Sequence, residues 1–306
     1  MTTGAGPRHR WAYTLFGPAA PYLLHLRPVE WPIMAAHTLL GYLLAVGLGG
    51  AAAGVERGPA LLGLLLWVLC LNGGTLAINS AFDRDDGDIA YLRAPPAPPR
   101  HLFGWGLGLM VLGQGVTFLL PPAFQLAYAA CFAMSVLYSV PPFRLKSVAG
   151  ADWVINMWGF GAFTPFAGWA STGRTLDLPH ALVLLGFCPL FAALYPLTQI
   201  YQVEEDTRRG DRTLVIRLGI RRSLGVAIAA ALAAFALFSW SLVLLDHATS
   251  LRVAGLGLAF ASWLGVLVPW ARRYASMTTA LHQRGMYLAL GAWAVTDVVV
   301  ALAWGT

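Results

Sequence analysis

The stretch LLGLLLWVLCLNGGTLAINSAFDRDDGD, residues 61–88, decides the fold. Its first half is apolar on every side of a helix, with no polar stripe to face water. Its end gathers Asp83, Asp85, Asp86 and Asp88 immediately after Asn79. A run of about 20 apolar residues is long enough to cross the hydrocarbon core of a bilayer. An apolar rod that stops in a knot of carboxylates reads as a membrane span with its chemistry at one water-facing end.

Working outward, the same apolar texture recurs. The chain has 306 residues, of which 58% are hydrophobic and 11% charged. A soluble domain carries roughly 25% charged residues, so lipid must serve as solvent for much of this surface. Nine stretches are long enough to span: 33–54, 59–82, 102–120, 122–140, 150–171, 179–201, 221–245, 250–271 and 285–304. The expected fold is therefore all-α, a polytopic membrane protein of about nine transmembrane helices. It forms a single domain over 1–306, with a cytoplasmic segment at 1–29. That segment lacks the unbroken apolar core of a cleavable signal, and Pro18, Pro21 and Pro28 interrupt it. Cys70, Cys131 and Cys188 lie inside apolar runs without metal-type spacing and read as small buried hydrophobes.

Cations fix the orientation. On this division 17 of the 20 lysines and arginines fall on one side, and only Arg57, Arg174 and Arg252 on the other. Positive loops stay cytoplasmic, so the N-terminus is expected inside and the C-terminus outside, in a cell membrane of the bacterial inner-membrane kind. The net charge of +6 is explained by those loops, and no nucleic-acid partner is implied.

A second acidic end, Gln202-Val-Glu204-Glu205-Asp206-Thr-Arg-Arg209-Gly-Asp211, follows the sixth stretch. Eight of the 14 acidic residues lie in these two windows. Asn79 and Asp83, like Gln202 and Asp206, are four residues apart, on one helical face. The echo after four helices suggests a four-plus-four pseudo-repeat with one helix left over. Charged loops are often merely wet. Here the acids begin inside the helix ends, where the partial negative charge of a C-terminus disfavours them without a cation. Carboxylate and amide oxygens suit Mg²⁺, which commonly shares such ligands with phosphates. Two such clusters beside arginine and lysine describe a diphosphate site. The apolar and aromatic interior below it suits a polyprenyl tail and a cation formed from it.

These motifs resemble those of the UbiA superfamily of intramembrane prenyltransferases, and the likeness covers essentially the whole chain. Asn79 and Asp83 match the family's NDxxDxxxD motif, with Ser80 in place of its second residue and Gly87, flanked by Asp86 and Asp88, at its last. The segment from Asp206 to Gly219 is similar to the family's second acidic region, with Gln202 where an aspartate usually leads. Tyr138-Ser-Val-Pro-Pro-Phe-Arg144-Leu-Lys146 resembles its YSxPPxRxK loop, and Leu26-Arg27-Pro28 its N-terminal element. The resemblance implies a UbiA-like bundle and transfer of a polyprenyl group from its diphosphate to a hydrophobic acceptor, an aromatic or quinone precursor. One Mg²⁺ would be held by Asn79, Asp83, Asp86 and Asp88, and a second by Gln202, Glu205 and Asp206. Arg144 and Lys146 would act with Asp83 and Asp206 in catalysis. Arg27, Asn79, Tyr138, Asp152, Asn156, Tyr195, Gln199 and Arg209 are the candidate substrate contacts. Several have a plainer alternative: interface anchoring for Arg27, Arg144 and Lys146, hydration for Asp152, and core packing for Tyr195 and Gln199. Asp297, alone among acids in the last stretch, reads as a helix contact or a wet external end rather than a catalytic group. Two other functions fit parts of the pattern. A terpene cyclase would use the same ionisation without an acceptor. A cation transporter would place its acids nearer the bilayer midplane than these lie.

Overall fold

The structure, a computed structural model, describes residues 9–83, 92, 94–210, 212–245 and 249–306. The described residues are helical apart from short connections, as the all-α expectation required. Among the described residues seven helices are long and apolar enough to cross a membrane: Trp31–Ala53, Arg57–Asp83, Leu102–Leu119, Leu178–Ile200, Ile220–Leu244, Ser250–Ser276 and Thr279–Trp304. The fourth and fifth expected stretches are also helical, at Pro122–Ser139 and over 151–170. They carry more polar groups, among them Gln125, Asp152 and Asn156, and fall outside that set of seven. These elements are called the first to ninth rods below, in chain order.

The rods form two packed halves. Trp67, Met110, Phe124 and Tyr128 lead a core built from the second, third and fourth rods with parts of the first and fifth. Phe187, Phe238, Trp263 and Trp293 lead a second core that runs from the sixth rod to the ninth. The first rod packs against the fifth and against the ninth, and so joins the halves. At its far end Leu48 N–H donates to the Gly305 carbonyl at 2.6 Å. Gly47 makes this possible with φ 75°, a break in the helix that frees the next amide. Outward-facing Val243, Leu251, Phe118 and Leu119 are more than two-thirds exposed, an apolar surface that lipid would cover.

Where the first rod meets the fifth, glycine lets backbones touch. A Cβ on Gly41 would collide with the Pro165 carbonyl, and one on Gly168 with the Thr38 carbonyl. The second and fifth rods each contain a π-helical segment, Leu66–Asn72 and Met157–Phe163. Such segments widen the turn and frequently mark functional walls.

Before the first rod, two short helices, Arg10–Phe16 and Ala20–Leu24, pack with Leu92. His25 is buried behind them, its Nε2 3.0 Å from the Pro96 carbonyl. Burial, assisted by nearby Arg27, pushes its pKa down to about 4. In the unfolded chain it titrates near 6.5. Between those values the unfolded state binds the extra proton, so stability falls as pH drops from about 6.5 to 4. Melting curves over that window should show the slope, and His25→Asn should flatten it.

Candidate functional site

The second rod keeps its helix to Asp83, which places Asn79 and Asp83 one turn apart at its end. The cation that this helix terminus calls for comes from the loop after the fourth rod, more than 60 positions away. Lys146 Nζ donates to Asn79 Oδ1 at 2.7 Å and to Asp83 Oδ1. Arg144 Nη2 lies 3.4 Å from the same Asp83 oxygen. Ser139 Oγ donates to Asn79 Oδ1 at 3.3 Å and steadies the amide. Arg144 holds φ 35°. That left-handed backbone is costly for a side-chain residue and persists where the surroundings enforce it.

The second acidic end departs from expectation. The sixth rod stops at Ile200, and a new short helix, Val203–Arg209, begins after Gln202. The one-turn relation survives, since Asp206 N–H donates to the Gln202 carbonyl at 2.9 Å. The break has an electrostatic reason. It places Glu204 in the positive first turn of a new helix and not at the negative end of a long one. Asp206 is buried, and Gln202 lines the cavity described next.

That cavity has a volume of about 380 Å³ and opens beside both acidic ends. Asn79, Tyr138, Tyr195 and Gln202 line its mouth, and Trp67, Phe160, Phe191 and Trp293 line its interior. Tyr138 and Tyr195 face each other with hydroxyls 3.1 Å apart. Arg27 also lines it, buried, with φ 49°, and among the described residues its Nε and Nη2 have no hydrogen-bond partner. It pairs with Glu30 at 3.6 Å. Burial raises the Glu30 pKa, partly offset by Arg27. A buried guanidinium with unused donors at a cavity mouth is prepared for an anion.

Other candidates fall elsewhere. Asp152 and Gln199 are buried and bonded to each other at 2.8 Å. Asp152 also accepts from Gly150 N–H, and Gln199 from Val215 N–H. They clamp the start of the fifth rod to the sixth and to the segment at Val215, outside the cavity lining. Asn156 reaches the cavity wall while its amide donates back to the Asp152 carbonyl. Asp86 and Asp88, and the side chains of Glu205 and Arg209, lie outside the described residues.

The donor set suits a hard divalent cation. Asn79 and Asp83 already aim an amide and a carboxylate oxygen at one positive group, the Lys146 ammonium. Among the described residues no three carboxylate, imidazole or thiol side chains converge as a closed cage.

One pair escaped the sequence reading. His37, in the first rod, lines the cavity, and its Nδ1 lies 3.2 Å from Asp297 Oδ1 in the ninth. A histidine inside an apolar run carries no spacing signal. The available hint was that two ionisable residues in separate spans commonly pair.

Comparison with known proteins places this geometry. The model of the UbiA prenyltransferase family matches residues 38–291. A rice (Oryza sativa subsp. japonica) protein named "Probable homogentisate phytyltransferase 2, chloroplastic" is 25% identical over 225 residues, 67% of this chain and 59% of that one. The chain thus spans about three-fifths of that relative. The lycopene elongase/hydratase of Halobacterium salinarum is 27% identical over 204 residues, 65% of this chain and 71% of the other. Among solved structures, a UbiA homologue of Archaeoglobus fulgidus bound to GPP and Mg²⁺ has TM-score 0.63 and 18% identity, covering 92% of this chain and 99% of its own. A structure of digeranylgeranylglyceryl phosphate synthase has TM-score 0.71 and 13% identity, covering 93% and 97%. At those identities the structural likeness establishes the fold.

Proposed function

The chain belongs to the UbiA prenyltransferase family, and from that membership we propose that it transfers a polyprenyl group, Mg²⁺-dependently and within the membrane, from its diphosphate to a hydrophobic acceptor. Residues 1–306 act as one transmembrane domain with the acidic face in the cytoplasm. The observation that carries the reading is the cavity mouth. There a carboxylate–amide notch, two cations facing it and a buried guanidinium with unused donors surround the entrance to an apolar chamber.

The chain's own residues divide the work. Arg27, Arg144 and Lys146 bind the diphosphate, with Arg209 beside the second acidic end. Asn79, Asp83, Asp86 and Asp88 would hold one Mg²⁺, and Gln202, Glu205 and Asp206 a second; the metal would neutralise charge on the diphosphate. The carbon–oxygen bond breaks with its electron pair leaving on the diphosphate, and the surrounding cations stabilise that charge. The tail lies among Phe160, Phe191 and Trp293, whose faces attract the allylic cation. Tyr138, Tyr195 and Asn156 border its reactive end, while Asp152 and Gln199 keep the wall in place. Exclusion of water leaves the cation for the acceptor.

The relatives named for homogentisate and for lycopene suggest acceptors with a nucleophilic π bond, an aromatic or quinone precursor being the first to try. A cyclase that closes the tail on its own double bond would use the same mouth. Purified protein should release diphosphate from geranyl, farnesyl or geranylgeranyl diphosphate with Mg²⁺ and not with EDTA. Release that ignores EDTA, or none with any donor, would sink the reading.

A further inference from the structure

The short helix Arg10–Phe16 leaves large apolar side chains uncovered where the chain approaches the first rod. Trp11 is 51% exposed, Leu15 70% and Phe16 46%. At 3.6 residues per turn this helix presents three flanks. Ala12, buried, and Tyr13, partly buried, pack toward Leu24 and Leu92. Trp11 and Leu15, one turn apart, form the second flank, and Phe16 adds to the uncovered apolar surface at the helix end. Arg10 and Thr14, also one turn apart and exposed, form the third, where the Thr14 hydroxyl donates to the Arg10 carbonyl at 2.9 Å. One flank on protein, one apolar and one polar is the division expected of a helix lying in the plane of a membrane surface. Its neighbours fix its level. Tyr22, in the next short helix, rests against Trp105 with ring centroids 5.7 Å apart. Trp105 stands three residues into the third rod, about 4.5 Å from its start at Leu102. Tyrosine and tryptophan collect at that depth, where hydrocarbon meets headgroups. At the start of the first rod Val29 and Ile33 are uncovered too, so lipid begins at this level.

We propose that Arg10–Phe16 is a membrane-surface helix whose partner is the headgroup zone of the bilayer that the rods cross. Trp11 and Leu15 enter the lipid, and Arg10 and Thr14 face the headgroups and water. The inference stands independently of the proposed reaction. Lipid takes out of water the large apolar side chains that the protein leaves uncovered. Charge favours the same partner. Residues 1–29 contain Arg8, Arg10 and Arg27 and no acidic residue. Arginines held at a membrane surface are attracted to its phosphates. The docking reaches the first acidic end. Leu92 packs on Ala12, Ala20 and Leu24, and His25 Nε2 lies 3.0 Å from the Pro96 carbonyl. Leu92 and Pro96 belong to the connection that follows Asp83, so the helix ties that connection to the membrane surface.

The test uses the full-length protein in vesicles of phosphatidylcholine and phosphatidylglycerol. A nitroxide is attached to Trp11→Cys, Leu15→Cys, Arg10→Cys and Thr14→Cys, one at a time. The parent protein, with Cys70, Cys131 and Cys188, gives the background to subtract. Collision with oxygen, which concentrates in lipid, is compared with collision with a water-soluble nickel complex. The oxygen-to-nickel ratio at positions 11 and 15 should exceed that at 10 and 14 by about fivefold or more. Nickel that reaches all four positions alike puts the helix in water and overturns the proposal. Exclusion of both reagents from 11 and 15 means that protein, a second copy included, covers the apolar flank, and overturns it equally. A further variant separates docking by these side chains from passive placement by Leu24 and Leu92. With Leu15→Ser and Phe16→Ser combined, the label at position 11 should lose its oxygen preference by at least about threefold. An unchanged ratio there means that packing on the protein, and not lipid, sets the depth of the helix, and the proposal falls.

Discussion

Asp83→Asn is expected to reduce diphosphate release by about 10³-fold or more, roughly 4 kcal/mol of transition-state stabilisation, in protein that still folds. The side chain keeps its shape and loses its charge. Asp83 is the group on which Lys146 and Arg144 converge, and the carboxylate end of the notch it forms with Asn79. Without it a bound metal would lose a charged ligand, and the two cations lose the carboxylate that holds them together against their mutual repulsion. Folding should survive because this happens at the water-facing end of a rod, with the Asp83 side chain 17% exposed. Exposed Glu204 provides the control, and Glu204→Gln should change release by less than about threefold. Diphosphate release and a melting curve on the same preparations separate lost chemistry from lost structure. An Asp83→Asn protein that turns over at the wild-type rate would remove the first acidic end from the mechanism.

Gly41→Ala and Gly168→Ala are each expected to prevent accumulation of folded protein, a destabilisation beyond about 4 kcal/mol. Small residues let membrane helices approach closely enough for backbone contact. Here the approach is reciprocal. The new methyl at Gly41 meets the Pro165 carbonyl oxygen and, at 2.9 Å, Trp169 N. At Gly168 it meets the Thr38 carbonyl oxygen and, at 2.9 Å, Tyr42 N. No rotamer change relieves a clash with backbone, so the first and fifth rods must part. Gly257→Ala, with nothing within 4 Å, should be silent. Size-exclusion profiles and folded yield in detergent decide the matter. A monodisperse Gly41→Ala protein of unchanged melting temperature would mean that the crossing is looser than described.

Much of this was legible in the chain. Apolar runs bounded by arginines located the rods, because hydrocarbon thickness dictates their length. Asn79 with Asp83 was readable because one helical turn is a fixed sequence interval. What the chain hid was everything set by contact between distant segments. Among the described residues the cations that meet Asp83 are Arg144 and Lys146, more than 60 positions away, and no sequence interval announces that pairing. Gln199 looked like a cavity residue, yet its amide is spent on Asp152 and Val215. The break at Tyr201–Gln202 follows from an energetic preference of charges for helix ends, which apolar patterning does not report. The two π segments follow no residue pattern at all. Asp297 stood out as an acid in a span, but its partner His37 sat unremarked in an apolar run 260 positions away.

That separation also sets an order in time. Helices of a membrane protein enter the bilayer as they are made, N-terminal first. His37 is therefore in place while the ninth rod has yet to be synthesised. Through that interval the first rod lacks Asp297 at its middle and Gly305 at its far end. A nascent chain is an open trough facing lipid, and it becomes a chamber only when its last helix docks. Shortening the final turn, or fastening a bulky fusion to it, should thus be felt first as chains that insert and never close, degraded by the cell before any catalysis can be measured.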